Sequence, residues 1–311
     1  MDLIINFAPT GIIPTREMTP HVPLSADEIV DDVHRAWEIG ITMVHLHARD
    51  EHGAATFRAQ VYADIIAGIR SFSKDLIICV SLSGRLFNEF EKRAEPLQLD
   101  GDLKPDMGSL TLSSLNFNRM ASVNSPDMIQ MLAAEMKRRG IMPELEVFDA
   151  GMINYAKYLL KKGLLAPPHY VNILLGNVAC AQADLLHAGI MVRDLPEQSF
   201  WSLAGIGNAQ LPMNSLAIAM GGGVRVGLED NIWFDPRRTR LASNADLVRR
   251  IHRLAEANER SVMTSASLRK LLGLQAGDGK YGLPPAKVSD EAGNFFEAPP
   301  VSAINSVPME T

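Results

Sequence analysis

The sequence predicts an α/β fold, a single (β/α)8 TIM barrel with a C-terminal arm. Three observations carry this expectation. Strand-like apolar runs alternate with helix-like runs along most of the 311-residue chain. Eight such units fit into roughly 260 residues, which is the arithmetic of a closed barrel. There is no 20–50-residue internal repeat and no low-complexity linker that would divide the alternation. An open doubly wound sheet shares the alternation, but the number of units and the length favour closure. The expected organisation is a catalytic barrel over 1–274 and an extension over 275–311.

The elements follow in order. Leu3–Phe7 is an apolar first strand, and a Gly- and Pro-containing loop, Ala8–Pro23, comes after it. Ser25-Ala26-Asp27-Glu28 is a capping box, so a helix starts at Ser25, runs to about Ile39 and stops at Gly40. Thr42–His47 is the second strand, about Ala59–Phe72 a helix, and Leu76–Val80 the third strand. Residues 86–98 read as helical and Asp106–Leu112 as the fourth strand. Ser125-Pro126-Asp127 opens a helix with proline in its first turn, and Gly140 ends it. Glu144–Phe148, Tyr170–Leu175, Phe200–Ala204 and Val224–Leu228 are the remaining strands. Helices at about 151–162, 178–188 and 209–219 separate them, and a helix at about Asn244–Glu259 closes the series. Gln275–Thr311 is rich in Gly, Pro, Ala and Ser without periodicity, and is expected to be an arm or partly disordered.

Composition narrows the class. At 47% hydrophobic and 21% charged residues, the chain resembles an ordinary globular protein with a sizeable core. A net charge of −6 gives no electrostatic case for nucleic acid or an anionic membrane. No apolar run reaches the length of a membrane span, and the N-terminus opens on a strand rather than a basic leader. The two cysteines, Cys79 and Cys180, sit in apolar surroundings and read as core fillers of a reduced, cytoplasmic protein.

In a barrel the site forms where the strands end. The second strand ends in His45 and His47, which alternation puts on one side, a pincer for a metal ion. Other strand ends also carry chemical groups: Ser81 to Arg85, Ser109 and Thr111, Glu144 and Glu146, then Arg225 and Glu229-Asp230. The second and eighth strands both neighbour the first. Glu229 or Asp230 can therefore complete a two-His, one-carboxylate set with an open position. Zinc suits that set and iron fits it too. The other acid would then serve as base, and Arg225 would pair with a carboxylate. Gly221 to Gly223 precede the eighth strand, at the far end of the barrel, and read as a tight turn. Lys92-Arg93 reads as a solvated helix face, with contact to an anionic cofactor as the alternative.

The ordered stretches Val44-His45-Leu46-His47-Ala48-Arg49-Asp50, Ser81-Leu82-Ser83-Gly84, Phe90-Glu91-Lys92-Arg93, Ser114-Leu115-Asn116-Phe117, Pro143 to Asp149, Ala204-Gly205-Ile206-Gly207 and Arg225 to Asn231 resemble the β-keto acid cleavage enzymes, typified by 3-keto-5-aminohexanoate cleavage enzyme. The resemblance implies an oligomeric, zinc-dependent barrel, with a tetramer expected. It condenses a β-keto acid with acetyl-CoA to give acetoacetate and a new acyl-CoA. It further implies that His45, His47 and Glu229 hold zinc and that Asp230 is the base, with Arg225 beside it. Ser81, Gly84, Ser109 and Thr111 would face the keto acid, and Glu146 would be a site carboxylate.

Two positions depart from the pattern. Ile13 stands where relatives acting on the aminated substrate carry a glutamate, and an apolar side chain cannot pair an ammonium group. Unless Glu17 substitutes, the expected substrate tail is uncharged. Ser109 stands where threonine is expected and keeps the hydroxyl. The competing readings are a metal-dependent barrel hydrolase of an amide or ester, and a ligand sensor without turnover.

Overall fold

The computed structural model describes residues 1–274, so the expected extension over 275–311 lies outside the described residues. Eight parallel strands close into a barrel: β1 (Ile5–Phe7), β2 (Met43–Leu46), β3 (Ile77–Val80), β4 (Met107–Thr111), β5 (Met142–Val147), β6 (His169–Leu175), β7 (Ser199–Gly205) and β8 (Gly223–Val226). Each pairs with its neighbour in sequence, and β8 returns to β1 with Asn6 opposite Arg225. The helices α1 (Ala26–Ile39), α2 (Ala59–Phe72), α3 (Phe90–Ala94), α4 (Pro126–Arg139), α5 (Ala150–Lys161), α6 (Leu185–Asp194), α7 (Gln210–Ala219) and α8 (Asn244–Ala257) follow the strands. A further helix, α9 (Ser265–Leu272), comes last.

Alternation along the strands sorts side chains into two environments. The outward set, including Val44, Leu46, Ile78, Val80, Leu145 and Val147, packs with the helices into one large apolar cluster. The inward set is layered. Its lower layer is apolar, with Ile4, Met43, Ile77, Met107 and Tyr170 meeting Leu268 and Leu272 of α9. The layer above is polar and buried: Asn6, His45, Glu144, Asn172 and Arg225. The chemistry therefore stands on an apolar floor, plugged by α9, and faces the strand C-terminal ends.

Several expected elements move. The helix expected over 178–188 is α6, which starts at Leu185 because the Asp184 carboxylate accepts the His187 N–H. The preceding loop is tied differently, by the Gln182 amide donating to the carbonyls of Asn177 and Cys180. The helix expected over 86–98 is α3 followed by a 3-10 turn, Glu95–Gln98, with Pro96 in its first turn. Two short hairpins carried no signal in the sequence, Ala48–Arg49 with Ala55–Thr56 and Leu115–Asn116 with Ala121–Ser122. Gly221 and Gly222 do form a turn before β8, which Gly223 begins, and a Cβ on Gly222 would lie 2.1 Å from the Trp201 ring.

Candidate active site

The two histidines leave the top of β2 on the same side, with ring centroids 5.3 Å apart. The chain after β8 brings the carboxylates to them. Gly227 lies so close to β1 that a Cβ there would be 1.9 Å from the Ala8 carbonyl oxygen. This approach ends β8 at Val226 and folds the next residues back, with the N–H groups of Asp230 and Asn231 both donating to the Gly227 carbonyl. Gly11 lies against the result: a Cβ there would stand 2.6 Å from Glu229 Cγ.

Glu229 Oε1 is 3.1 Å from His47 Nε2, and ligand atoms of His45, His47 and Glu229 all lie within 4.8 Å of one another. Tetrahedral donors about 2.0–2.2 Å from one ion stand roughly 3.3–3.5 Å apart, so the separations suit a single divalent cation after small adjustment. A second observation agrees. Glu229 Oε2 is buried and has no hydrogen-bond partner among the described residues. Orphaned buried acceptors are costly, and a cation is what would satisfy this one.

Below the histidines, Glu144 is fully buried. Its Oε1 accepts from the side-chain amides of Asn6 and Asn172, each at 2.5 Å. Its Oε2 faces His45 Nδ1 at 2.5 Å and the Cys79 thiol at 2.9 Å. Burial would raise its pKa, but His45 and Arg225 hold it down at about 2. An anionic Glu144 keeps a proton on His45 Nδ1 and so leaves Nε2 as a lone pair for the cation site.

Arg225 is buried among three carboxylates. Nη2 is 2.7 Å from Glu229 Oε1, Nε donates to Asp230 Oδ2 at 3.0 Å, and Nη1 reaches Glu146 Oε1 at 3.4 Å. Burial works against its charge, yet Asp230, Glu229 and Glu146 outweigh burial and keep its pKa well above the ordinary value. One cation against three anions leaves about two negative charges, which again suits a divalent ion. Asp230 has its pKa raised by burial and by Glu229, against the pull of Arg225, so it is the stronger base of the adjacent pair.

The remaining expected residues divide. Thr111 Oγ1 donates to Glu146 Oε2 at 2.7 Å, which orients the carboxylate that meets Arg225. Ser81 lines a cleft with His47. Ser109 Oγ accepts the Leu82 N–H at 3.0 Å and so fixes the loop that carries Ser81. Gly84 is required by close approach, since a Cβ there would be 2.3 Å from the Val123 carbonyl oxygen. Ile13 is 47% exposed, and its neighbour Ile12, rather than Ile13 itself, lines the cleft. Glu17 is exposed on the same loop, with Thr15 as its hydrogen-bond partner.

Three residues have roles that the sequence did not reveal. Glu144 was visible only as the residue two before Glu146. Arg49 clamps the loop after β1 by donating to the carbonyls of Gly11 and Pro14, each at 3.0 Å. Arg93, expected on a solvated face, is buried and donates to the Leu82 carbonyl and Asn124 Oδ1. Its neighbour Lys92 is paired with Glu89 and lines the same cleft as Ser81 and His47.

These features define a class: a (β/α)8 barrel whose strand-end donors fit one divalent ion beside a buried arginine-held carboxylate. Comparison with known proteins narrows it. Residues 2–274 match the family described as beta-keto acid cleavage enzyme, and the chain belongs to that family. It is 36% identical over 275 residues to 3-keto-5-aminohexanoate cleavage enzyme of Fusobacterium nucleatum, covering 88% of this chain and 98% of that one. It is also 36% identical to 3-oxoadipate:acetyl-CoA acetyltransferase of Cupriavidus necator, covering 87% and 94% of the two chains. Among solved structures, ObcA in binary complex with oxaloacetate superposes with a TM-score of 0.69 at 19% identity, over 83% of this chain and 68% of that one, which supports the fold.

Proposed function

We propose that this protein is a zinc-dependent β-keto acid cleavage enzyme that uses acetyl-CoA as co-substrate. In the overall exchange, the C2–C3 bond of the keto acid breaks and C2 bonds to the acetyl carbon. The sulfur of CoA moves from the acetyl group to the C3 acyl group. The products are acetoacetate and a new acyl-CoA, so atoms and charge balance. The observation that carries the reading is the conjunction of His45, His47 and the orphaned Glu229 oxygen with Asp230 held by Arg225.

A zinc ion bound there supplies Lewis acidity to the keto oxygen. The side chains do the rest. Glu144 holds His45 in the ligating tautomer. Arg225 fixes Asp230 through its stronger contact to Oδ2, so Oδ1, at 3.4 Å from Nη2, is the atom that takes up and returns a proton. Ser81, in the cleft beside His47, and the loop pinned by Ser109 present hydroxyl and amide donors to the keto acid. The reading extends to a cytoplasmic homo-oligomer, which the free thiols of Cys79 and Cys180 and the exposed Leu185 and Leu186 support.

The test is an end-point analysis by mass spectrometry with protein of known zinc content. Acetoacetate and a new acyl-CoA should form together, and only when acetyl-CoA is present. Product without acetyl-CoA would favour the hydrolase. That reading loses support here, because among the described residues no third histidine joins His45 and His47.

A further inference from the structure

The reaction centre leaves the acyl tail of the keto acid unspecified, and a guanidinium group with no hydrogen-bond partner among the described residues bears on it. Arg85 follows Gly84 in the loop at the top of β3, and it is half-buried. Its guanidinium carbon lies 3.3 Å over the centre of the Phe117 ring. Phe117 meets Phe148 edge-on, with ring centroids 5.8 Å apart, and Phe148 directly follows β5, the strand that carries Glu146. Arg85 therefore stands on the wall between the tops of β3 and β5.

The other buried arginines of this end are saturated. Arg225 has three carboxylates, and Arg49 and Arg93 are committed to carbonyl and amide oxygens. Among the described residues, the hydrogen bond of Arg85 is that of its backbone N–H with Ser83 Oγ, and none involves its guanidinium. Stacking on Phe117 occupies one face of the guanidinium and leaves its N–H edge in plane, the geometry that receives a carboxylate in a two-point contact. Burial lowers its pKa, while Glu229, Glu146 and Asp230 raise it, so it sits within the electrostatic reach of the centre. Those carboxylates already belong to Arg225 and the cation site.

We propose that Arg85 receives a second carboxylate, carried on the acyl tail, so that the preferred substrate is a β-keto dicarboxylic acid. The inference rests on the reaction proposed above. It replaces the uncharged tail expected from Ile13: that residue and the exposed Glu17 argue against a cationic tail, and Arg85 adds a receptor for an anionic one. The phosphates of CoA are the other source of an oxyanion, and the assay separates the two.

The zinc-loaded full chain is assayed with acetyl-CoA and two keto acids of equal length, one ending in a carboxylate and one in a primary amide. The kcat/KM ratio of acid to amide should be about 100 and fall to near 1 in Arg85→Gln, the difference carried by the KM of the keto acid. Arg85→Lys, which keeps the charge and loses the fork, should restore part of the ratio. An acid-to-amide ratio near 1 in the unaltered protein, or an equal loss on both substrates in Arg85→Gln, overturns the assignment. A rise in the KM for acetyl-CoA with the ratio unchanged overturns it in favour of a CoA phosphate. If no keto acid turns over, the reaction itself is refuted. Calorimetric binding of the dicarboxylate without acetyl-CoA then still decides the role of Arg85. A roughly 100-fold weaker affinity in Arg85→Gln supports it, and equal affinity overturns it.

Discussion

Among the described residues, a buried ionic cluster stands at each end of the barrel, and the charge ratios are inverted. At the bottom a single carboxylate, Asp106, is fully buried before β4. Two cations meet it: Arg70 of α2 at 2.9 Å, and Arg269 of α9 through Nη1 at 2.8 Å and Nη2 at 2.9 Å. The backbone completes the set, with the Ile78 N–H donating to Asp106 and both arginines donating to the Leu76 carbonyl. At the top a single cation, Arg225, faces the three carboxylates of Glu146, Glu229 and Asp230, and one oxygen of Glu229 has no partner. Both oxygens of the Asp106 carboxylate have donors from the fold. At the top, Glu229 Oε2 has no such donor among the described residues. Burial and ion pairing alone would not tell them apart; among the described residues the distinction lies in the sign of the excess charge and in the Glu229 carboxylate oxygen that lacks a donor.

Changes that break the top cluster should abolish activity and leave the fold. Glu229→Gln removes a proposed ligand and half of the excess negative charge. It should lose bound zinc, read by elemental analysis, and reduce turnover to background, while the melting temperature of the metal-free protein stays within a few degrees. Retained zinc with full turnover would remove Glu229 from the site. Asp230→Asn should instead keep the metal and lower kcat by about 10²–10⁴, the range for a general base. Loss of metal in Asp230→Asn would exchange the roles of the two acids.

A change at the bottom should do the reverse. Asp106→Asn removes the carboxylate that Arg70 and Arg269 both meet, and breaking a buried ion pair in this way costs about 3–5 kcal/mol. Denaturant unfolding should show that loss, and the surviving folded fraction should bind zinc as before. A stability within 1 kcal/mol of the parent would mean that α9 is held by Leu268 and Leu272 rather than by Arg269.

The sequence made the top cluster more legible than the bottom one. His45 and His47 announce themselves by their spacing, and the proximity of Glu229 to them follows once β1 is seen to lie between β2 and β8. The barrel itself was legible because eight apolar runs recur at regular distance. What was not legible depends on depth and register. Asp106 reads as the first residue of a strand, and its partners lie 36 and 163 residues away. The eight-residue α9 is signalled by little more than Thr264 and Gly273 at its ends. The two hairpins have two-residue strands, too short to show a period. Glu144 and Glu146 share a face by alternation, but alternation does not say which lies under His45. The pairing of Ser109 with Glu144 and of Asn172 with Glu146 sets that height, and register is a property of the closed barrel.

That last distinction supports the smallest and most discriminating change. Glu144→Gln preserves shape and removes one charge beneath His45. Its carboxylate accepts from donors on both sides, Asn6 and Asn172 on Oε1 and His45 and Cys79 on Oε2. An amide has only one acceptor oxygen. Turned toward the asparagines, that oxygen leaves the NH2 group facing His45 Nδ1, which must then lose its proton and move it to Nε2, the atom needed for the cation. Turned toward His45, it leaves the NH2 group against two other NH2 groups. Either arrangement should weaken zinc by about 10–100-fold, as loss of an outer-shell partner does elsewhere, measured by competition with a chromophoric chelator. Saturating zinc should then recover most of kcat, unlike in Asp230→Asn. An unchanged zinc affinity would mean that the floor of the site carries His45 without setting its tautomer, and the top cluster would depend on its three ligands alone.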